Sequence, residues 1–299
     1  MADKTRQWCP GYLVHFDEKD EYAHWLGGAD PVGAECQSCF KPMPLLLSLD
    51  TRDPRLNLAD LGVDRVALCF CLRCELEGGS NRPIYLLKSE NEIEIIGDGW
   101  LYDDKRREEI ADLRSEQAYH DAENERHYSE CYDVPQVVAM SEQEVAKLRR
   151  RDRRFWRSIK EIRNWDAVRM LPTTVPEQPI CLELLPEVVQ RVFDQFNSGE
   201  EPDEADESAT QEIIGGDFIG PIDQVGGRSY MLQRIDDPIC EACNQAETKN
   251  RMWFLAGLCG IGHTFSALFL PQEAELVDMH VVFFFCPVCG SVRGESFCT

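Results

Sequence analysis

Positive charge is scarce in this chain. Thirty-one Lys and Arg stand against 54 Asp and Glu in 299 residues, a formal net charge of −23. A field of that sign repels nucleic acid and anionic membrane surfaces and attracts basic partners, and it also keeps a protein in solution. Long apolar runs are missing as well. No stretch reaches the roughly 18 residues of a membrane span, so no membrane association is expected. The start, Met1-Ala-Asp-Lys-Thr-Arg-Gln-Trp8, lacks the apolar core of a signal peptide, and a cytoplasmic address is the expectation. Thiols stay reduced there. Only six histidines occur, and no Ser/His/Asp order, phosphate-cradling glycine loop or metalloprotease helix is found. These absences point away from an enzyme.

Cysteine, in contrast, is plentiful, with 14 residues. In a cytosolic chain these are expected as ligands or core residues rather than disulfides. Eight of them form four Cys-x-x-Cys pairs: Cys36/Cys39, Cys71/Cys74, Cys240/Cys243 and Cys286/Cys289. The last pair follows Val281-Val-Phe-Phe-Phe285, a short β-branched and aromatic run that reads as a buried strand. Val66-Ala-Leu-Cys-Phe70 precedes Cys71 in the same way, at a constant offset of 215 (Val66 to Val281, Cys71 to Cys286, Cys74 to Cys289). Both halves run Gly-Gly, Cys-x-x-Cys, Met with apolar residues, a loop, an apolar strand, Cys-x-x-Cys. Five elements in one order, the loop left aside, argue for an internal duplication.

Zinc accepts four thiolates in a tetrahedron at about 2.3 Å, and a closed four-thiolate site leaves no position for water or substrate. Two zinc ions are therefore expected, one on Cys36, Cys39, Cys71 and Cys74, the other on Cys240, Cys243, Cys286 and Cys289. Spacing alone leaves open whether pairs combine within or across halves, and ligand type admits iron. The competing reading is metal-free core cysteines. Cys69 aligns with Phe284 and is expected in the core.

In chain order, residues 1–25 read as an aromatic loop or edge segment, and Gly27-Gly28 as a turn or close approach. Strands are expected over 42–49, 66–71, within 84–96 (two), at 252–256 and at 267–270. The middle is charged. Helices are expected over 102–130, from the capping box Ser141-Glu-Gln-Glu144 to about Trp165, and over 183–196. Residues 198–210 read as a flexible acidic loop. Lys147–Arg163, rich in basic residues, is read as pairing with that loop rather than with nucleic acid. His120 and His127 read as a solvated face, and His263 and His280 as surface or core polar residues.

Gly226-Gly227 with Tyr230 and Gln233, Cys240-x-x-Cys243, Met252-Trp-Phe-Leu255 and the terminal Phe-x-Cys-x-x-Cys element resemble the YwqG-like family, related to the programmed cell death protein 2 family. The first half repeats the pattern from Trp25-Leu-Gly-Gly28. The resemblance covers roughly residues 20–100 and 211–299. It implies a duplicated β-rich fold and, in the eukaryotic branch, zinc binding with a chaperone-like role toward a basic ribosomal protein; among bacterial members it implies an immunity-type role. The middle has only Cys131 and Cys181, so that branch's extra zinc finger is missing, and Ser229 and Tyr230 replace the family's Pro and Trp.

The expected fold is α+β: a β-rich duplicated fold with two zinc-ribbon-like four-cysteine modules (1–100 and 211–299) and a charged helical insert with an acidic loop (101–210). The expected function is a non-catalytic, zinc-stabilised partner of a basic protein, chaperone-like or inhibitory. The alternatives are an enzyme with a site between the repeats, or a nucleic-acid-binding zinc protein.

Overall fold

Alternation within the run Val281–Phe285 decides how the sheet is layered. Val281, Phe283 and Phe285 point into the main hydrophobic core, while Val282 and Phe284 point to a second, smaller one. Both faces are buried, which is why the strand reads as an unbroken apolar run. The computed structural model describes residues 9–16, 18–36, 41–71, 82–97, 175, 177–214, 222–228, 238–243, 250–259 and 279–298. The helices expected over 102–130 and 141–165 and the strand at 267–270 lie outside them. So do the basic stretch 147–163, Tyr230, Gln233, Cys131, His120, His127 and His263.

The described residues form a β-rich structure. Its strands are β1 (Tyr12–Phe16), β2 (Trp25–Leu26), β3 (Leu45–Asp50), β4 (Arg65–Cys69), β5 (Ile84–Ser89), β6 (Glu92–Gly97), β7 (Gln178–Leu184), β8 (Gln224–Val225), β9 (Trp253–Cys259), β10 (Met279–Phe285) and β11 (Ser291–Cys298). Two helices, α1 (Glu187–Ser198) and α2 (Glu204–Ile214), accompany them. The strands make one sheet in the order β4-β3-β2-β7-β1-β8-β9-β10-β11-β5-β6, with antiparallel ladders. Strands from the two ends of the chain alternate in it: β1 joins β8, and β5 joins β11.

Three expectations are corrected. Residues 12–16, read as loop or edge, are an interior strand whose Tyr12 and Val14 enter the core. Residues 183 and 184, read as the start of the helix expected over 183–196, instead end strand β7 (Gln178–Leu184). Ile180 and Leu182 alternate inward, and the helix begins only after Pro186, which holds a non-helical ψ of 139° at its N-cap. The segment first assigned to the helical insert thus contributes a central strand. Finally, residues 204–210 of the stretch read as a flexible acidic loop (198–210) belong to helix α2, which runs from Glu204 to Ile214. Asp203 caps it by accepting the Ala205 N–H (2.8 Å), and Glu204, Asp206 and Glu207 lie in the first turn, where the helix dipole favours carboxylates. Asp206 also accepts two hydrogen bonds from Arg191 of α1 (2.7 and 2.8 Å).

The sheet curls until β4 meets β5 and β11. Tyr85 of β5 seals that seam. Its hydroxyl accepts the Cys69 N–H (3.0 Å) and donates to the Ala67 carbonyl (3.1 Å), and its ring is fully buried. Cys69 is a core residue, as expected. Tyr85→Phe would leave two buried backbone groups unpaired, so a loss of about 2 kcal/mol is predicted in urea unfolding, with little change in far-UV circular dichroism.

At Gly226-Gly227 the backbone has φ of 68° and 67°. A Cβ on Gly226 would fall 2.3 Å from the Cys9 sulfur, and one on Gly227 2.6 Å from the Cα of Gly11. Both the turn and the close approach require glycine here.

A charged cluster ties the β7 edge to the loop after β3. Leu182 of β7 donates its N–H to Asp20 (3.0 Å) and accepts from Arg55 (3.0 Å). Arg55 also binds Asp53 and Asp20 and lies over the rings of Tyr12 and Tyr22. Beneath it, His24 Nδ1 accepts the Asp50 N–H (3.1 Å), which leaves Nε2–H to donate to Asp53 (2.9 Å). Burial holds the His24 pKa below its usual value despite the pull of Asp53.

Candidate metal centre

Strand β10 delivers Cys286 at its end, and β11 starts at Ser291, so the second knuckle is the turn between paired strands. Gly290, at φ 72°, lets the chain double back. Its N–H donates to the Cys286 carbonyl (2.9 Å), and the Cys286 N–H donates to that of Ser291 (2.9 Å). The N–H groups of Val288 and Cys289 turn inward to the Cys286 sulfur. The first knuckle is held by Cys240 N–H to the Asn250 carbonyl (2.8 Å) and Met252 N–H to the Pro238 carbonyl (2.7 Å). Cys243 donates its N–H to the Cys240 sulfur. Since β9 lies beside β10 with Trp253 opposite Phe285, both knuckles meet at one end of this pair.

Four sulfurs converge there. The ligand atoms of Cys240, Cys243, Cys286 and Cys289 all lie within 4.8 Å of one another. Cys240 Sγ is 3.5 Å from Cys289 Sγ, and Cys243 Sγ is 3.7 Å from Cys286 Sγ. A tetrahedron of thiolates at about 2.3 Å from an ion has edges of about 3.8 Å. The donor set and spacing therefore fit a tetrahedral soft-metal ion such as zinc. Beneath the sulfurs, Met252, Phe254, Val282 and Phe284 form the smaller core, with the Phe254 and Phe284 rings edge to face at 6.4 Å. This apolar floor keeps water from that side of the cluster.

Hydrogen bonds set the thiol acidities unequally. Burial opposes ionisation of Cys240, but hydrogen bonds from the Ser291 hydroxyl and the Cys243 N–H outweigh it and hold the pKa below its usual value. Burial pushes Cys286 well up. Burial also raises Cys243, partly offset by the Asn250 side chain. An ion arriving here must displace protons, so its affinity falls in acid.

Of the eight predicted ligands, the structure brings these four together within one half of the chain. Cys36 and Cys71 are both buried, while Cys39 and Cys74 lie outside the described residues. His280 is a buried core residue, its ring against Gly257. Sequence reasoning passed over Asn250, Ser291 and the buried Arg293, which bridges Glu241 of the first knuckle (3.1 Å) and Glu295 of β11 (2.5 Å). Ser291, two residues past Cys289, was the one positional hint. No protein-family model, curated protein or solved structure matches the chain.

Proposed function

We propose that this is a non-catalytic, zinc-stabilised binding protein of YwqG-like type, whose partner is a basic protein that it shields or inhibits. The observation that carries the reading is the closed four-cysteine cluster. All four tetrahedral positions are cysteine sulfurs on an apolar floor, which suits structure rather than chemistry. The net charge of −23 supplies the attraction for a basic partner.

An internal duplication belongs to the same reading, and recurring hydrogen bonds support it. Gly27 N–H to Leu46 O (3.0 Å) is matched by Gly226 to Leu255 (2.8 Å). Met43 to Ala34 (2.9 Å) is matched by Met252 to Pro238 (2.7 Å), and Cys36 to Lys41 (2.9 Å) by Cys240 to Asn250 (2.8 Å). The ladders agree too. Leu49 opposite Val66 corresponds to Leu258 opposite Val281, and both β3 and β9 carry a bulge that skips the corresponding residue, Leu46 or Leu255. The offset of 215 read between Val66 and Val281 is the one these ladders keep.

In this scheme the repeats exchange their first strands. β1 pairs with β8 of the other repeat and β7 with β2, and the exchanged strands meet with His15 opposite Cys181. Gly28 N–H to Val175 O (2.9 Å) and Gly227 N–H to Cys9 O (3.2 Å) are the matching contacts across the exchange. Cys36 and Cys71 correspond to Cys240 and Cys286, and the second zinc ion is assigned to Cys36, Cys39, Cys71 and Cys74.

Affinity capture from native lysate in low salt tests the partner. The expected result is a basic protein released by raising salt from about 0.05 to 0.5 M, since screening weakens exposed charge pairs. Recovery of no basic protein, or of one indifferent to salt, contradicts the reading.

A further inference from the structure

Backbone amides serve the Cys240 and Cys286 sulfurs, but two side chains from outside the knuckle turns also reach the cluster. Asn250 Nδ2–H donates to Cys243 Sγ (3.2 Å), and Ser291 Oγ lies 3.2 Å from both Cys240 Sγ and Cys289 Sγ. We propose that Asn250 and Ser291 are positioning residues of the centre, whose side-chain hydrogens hold the thiolates toward a divalent ion and set its affinity. This rests on the metal reading above.

Charge is what makes these donors matter. Four thiolates around a divalent ion leave two negative charges beside fully buried Cys240 and Cys286. Uncompensated charge there is costly, and donors to sulfur spread it. Asn250 is anchored for the task, because its own carbonyl takes the Cys240 N–H (2.8 Å) while its side chain serves Cys243. One residue thus sets the spacing of both sulfurs of the first knuckle. Ser291 lies between the knuckles: its Oγ accepts from the Cys289 thiol, and its one hydroxyl hydrogen serves the Cys240 sulfur. Its place is secured by its carbonyl, which accepts the Cys286 N–H (2.9 Å).

The test uses the full chain as wild type, N250A, N250D, S291A and S291T, each loaded with zinc and separately with cobalt(II). Zinc affinity is read by chelator competition, and the sulfur-to-cobalt charge-transfer band by absorbance. Losing a donor returns electron density to sulfur, so the band moves to longer wavelength. N250A and S291A are expected to lose about tenfold or more in zinc affinity with that shift. N250D, the same shape with a carboxylate facing sulfur, loses more, and S291T stays near wild type. Should N250D fail to fold, N250A and S291A decide. Wild-type affinity and an unshifted band in both alanine variants overturn the proposal alone. A wild-type chain that binds neither ion overturns it together with the metal reading.

Discussion

Cys286→Ser is expected to lower the stability of the protein by about 3–5 kcal/mol or more. Structural zinc contributes roughly 10 kcal/mol to small modules, and a cluster that loses one member forfeits much of that binding energy. Cys286 is fully buried, and its backbone closes the turn onto Ser291, so the damage passes into β10 and β11. Urea unfolding with zinc, and again with a strong chelator, separates ion loss from simple packing loss. Wild type loses more stability than the variant when the chelator is added, because the variant has only the ion assigned to Cys36, Cys39, Cys71 and Cys74 left to lose. Cys69→Ala serves as the contrast. Cys69 is buried in the main core, so its variant loses packing but keeps most of its sensitivity to chelator.

The second large effect is expected at Asp53, whose side chain is fully buried between His24 and Arg55. Asp53→Ala removes the acceptor for His24 Nε2–H and part of the anchor for Arg55. Arg55 in turn holds Asp20 and the Leu182 carbonyl of β7. The His24 Nε2–H is then buried without an acceptor, while Arg55 keeps Asp20 and the Leu182 carbonyl, so a loss of about 2–3 kcal/mol is expected. Thermal and urea unfolding of Asp53→Ala measure this. Asp53→Asn, which keeps the shape and one acceptor oxygen, should fall between the two. A loss below about 1 kcal/mol in Asp53→Ala would mean that the cluster contributes little.

Composition and local pattern carried much of the strand content. Val281–Phe285, Leu45–Asp50 and the pair Ile84–Ser89 and Glu92–Gly97 are visible because apolar runs or alternation end at turn residues. The Cys240/Cys243 and Cys286/Cys289 cluster was legible for a similar reason: each knuckle is a local turn that presents two sulfurs. β7 was not. In Gln178–Leu184 the alternating residues run straight into Val188, Val189 and Val192, whose helical spacing masks the boundary at Pro186. α2 was hidden by its carboxylates, which suggest a solvated loop until Asp203 and Arg191 supply a cap and a counter-charge. The order of strands in the sheet has no local signal. β1 finds its partners β7 and β8 far along the chain, and nothing in Tyr12–Phe16 names them. Asn250 and Ser291 escaped notice because their reach to sulfur depends on where the β9–β10 ladder sets the knuckles.

Metal content is the most direct test of a zinc-stabilised protein. Native mass spectrometry of the purified full chain, beside the quadruple variant Cys240→Ser, Cys243→Ser, Cys286→Ser and Cys289→Ser, is the measurement. Two zinc ions are predicted on the wild type, with one fewer on a variant that retains its fold. A wild-type mass equal to the bare polypeptide, with a melting temperature unmoved by strong chelator, would contradict this.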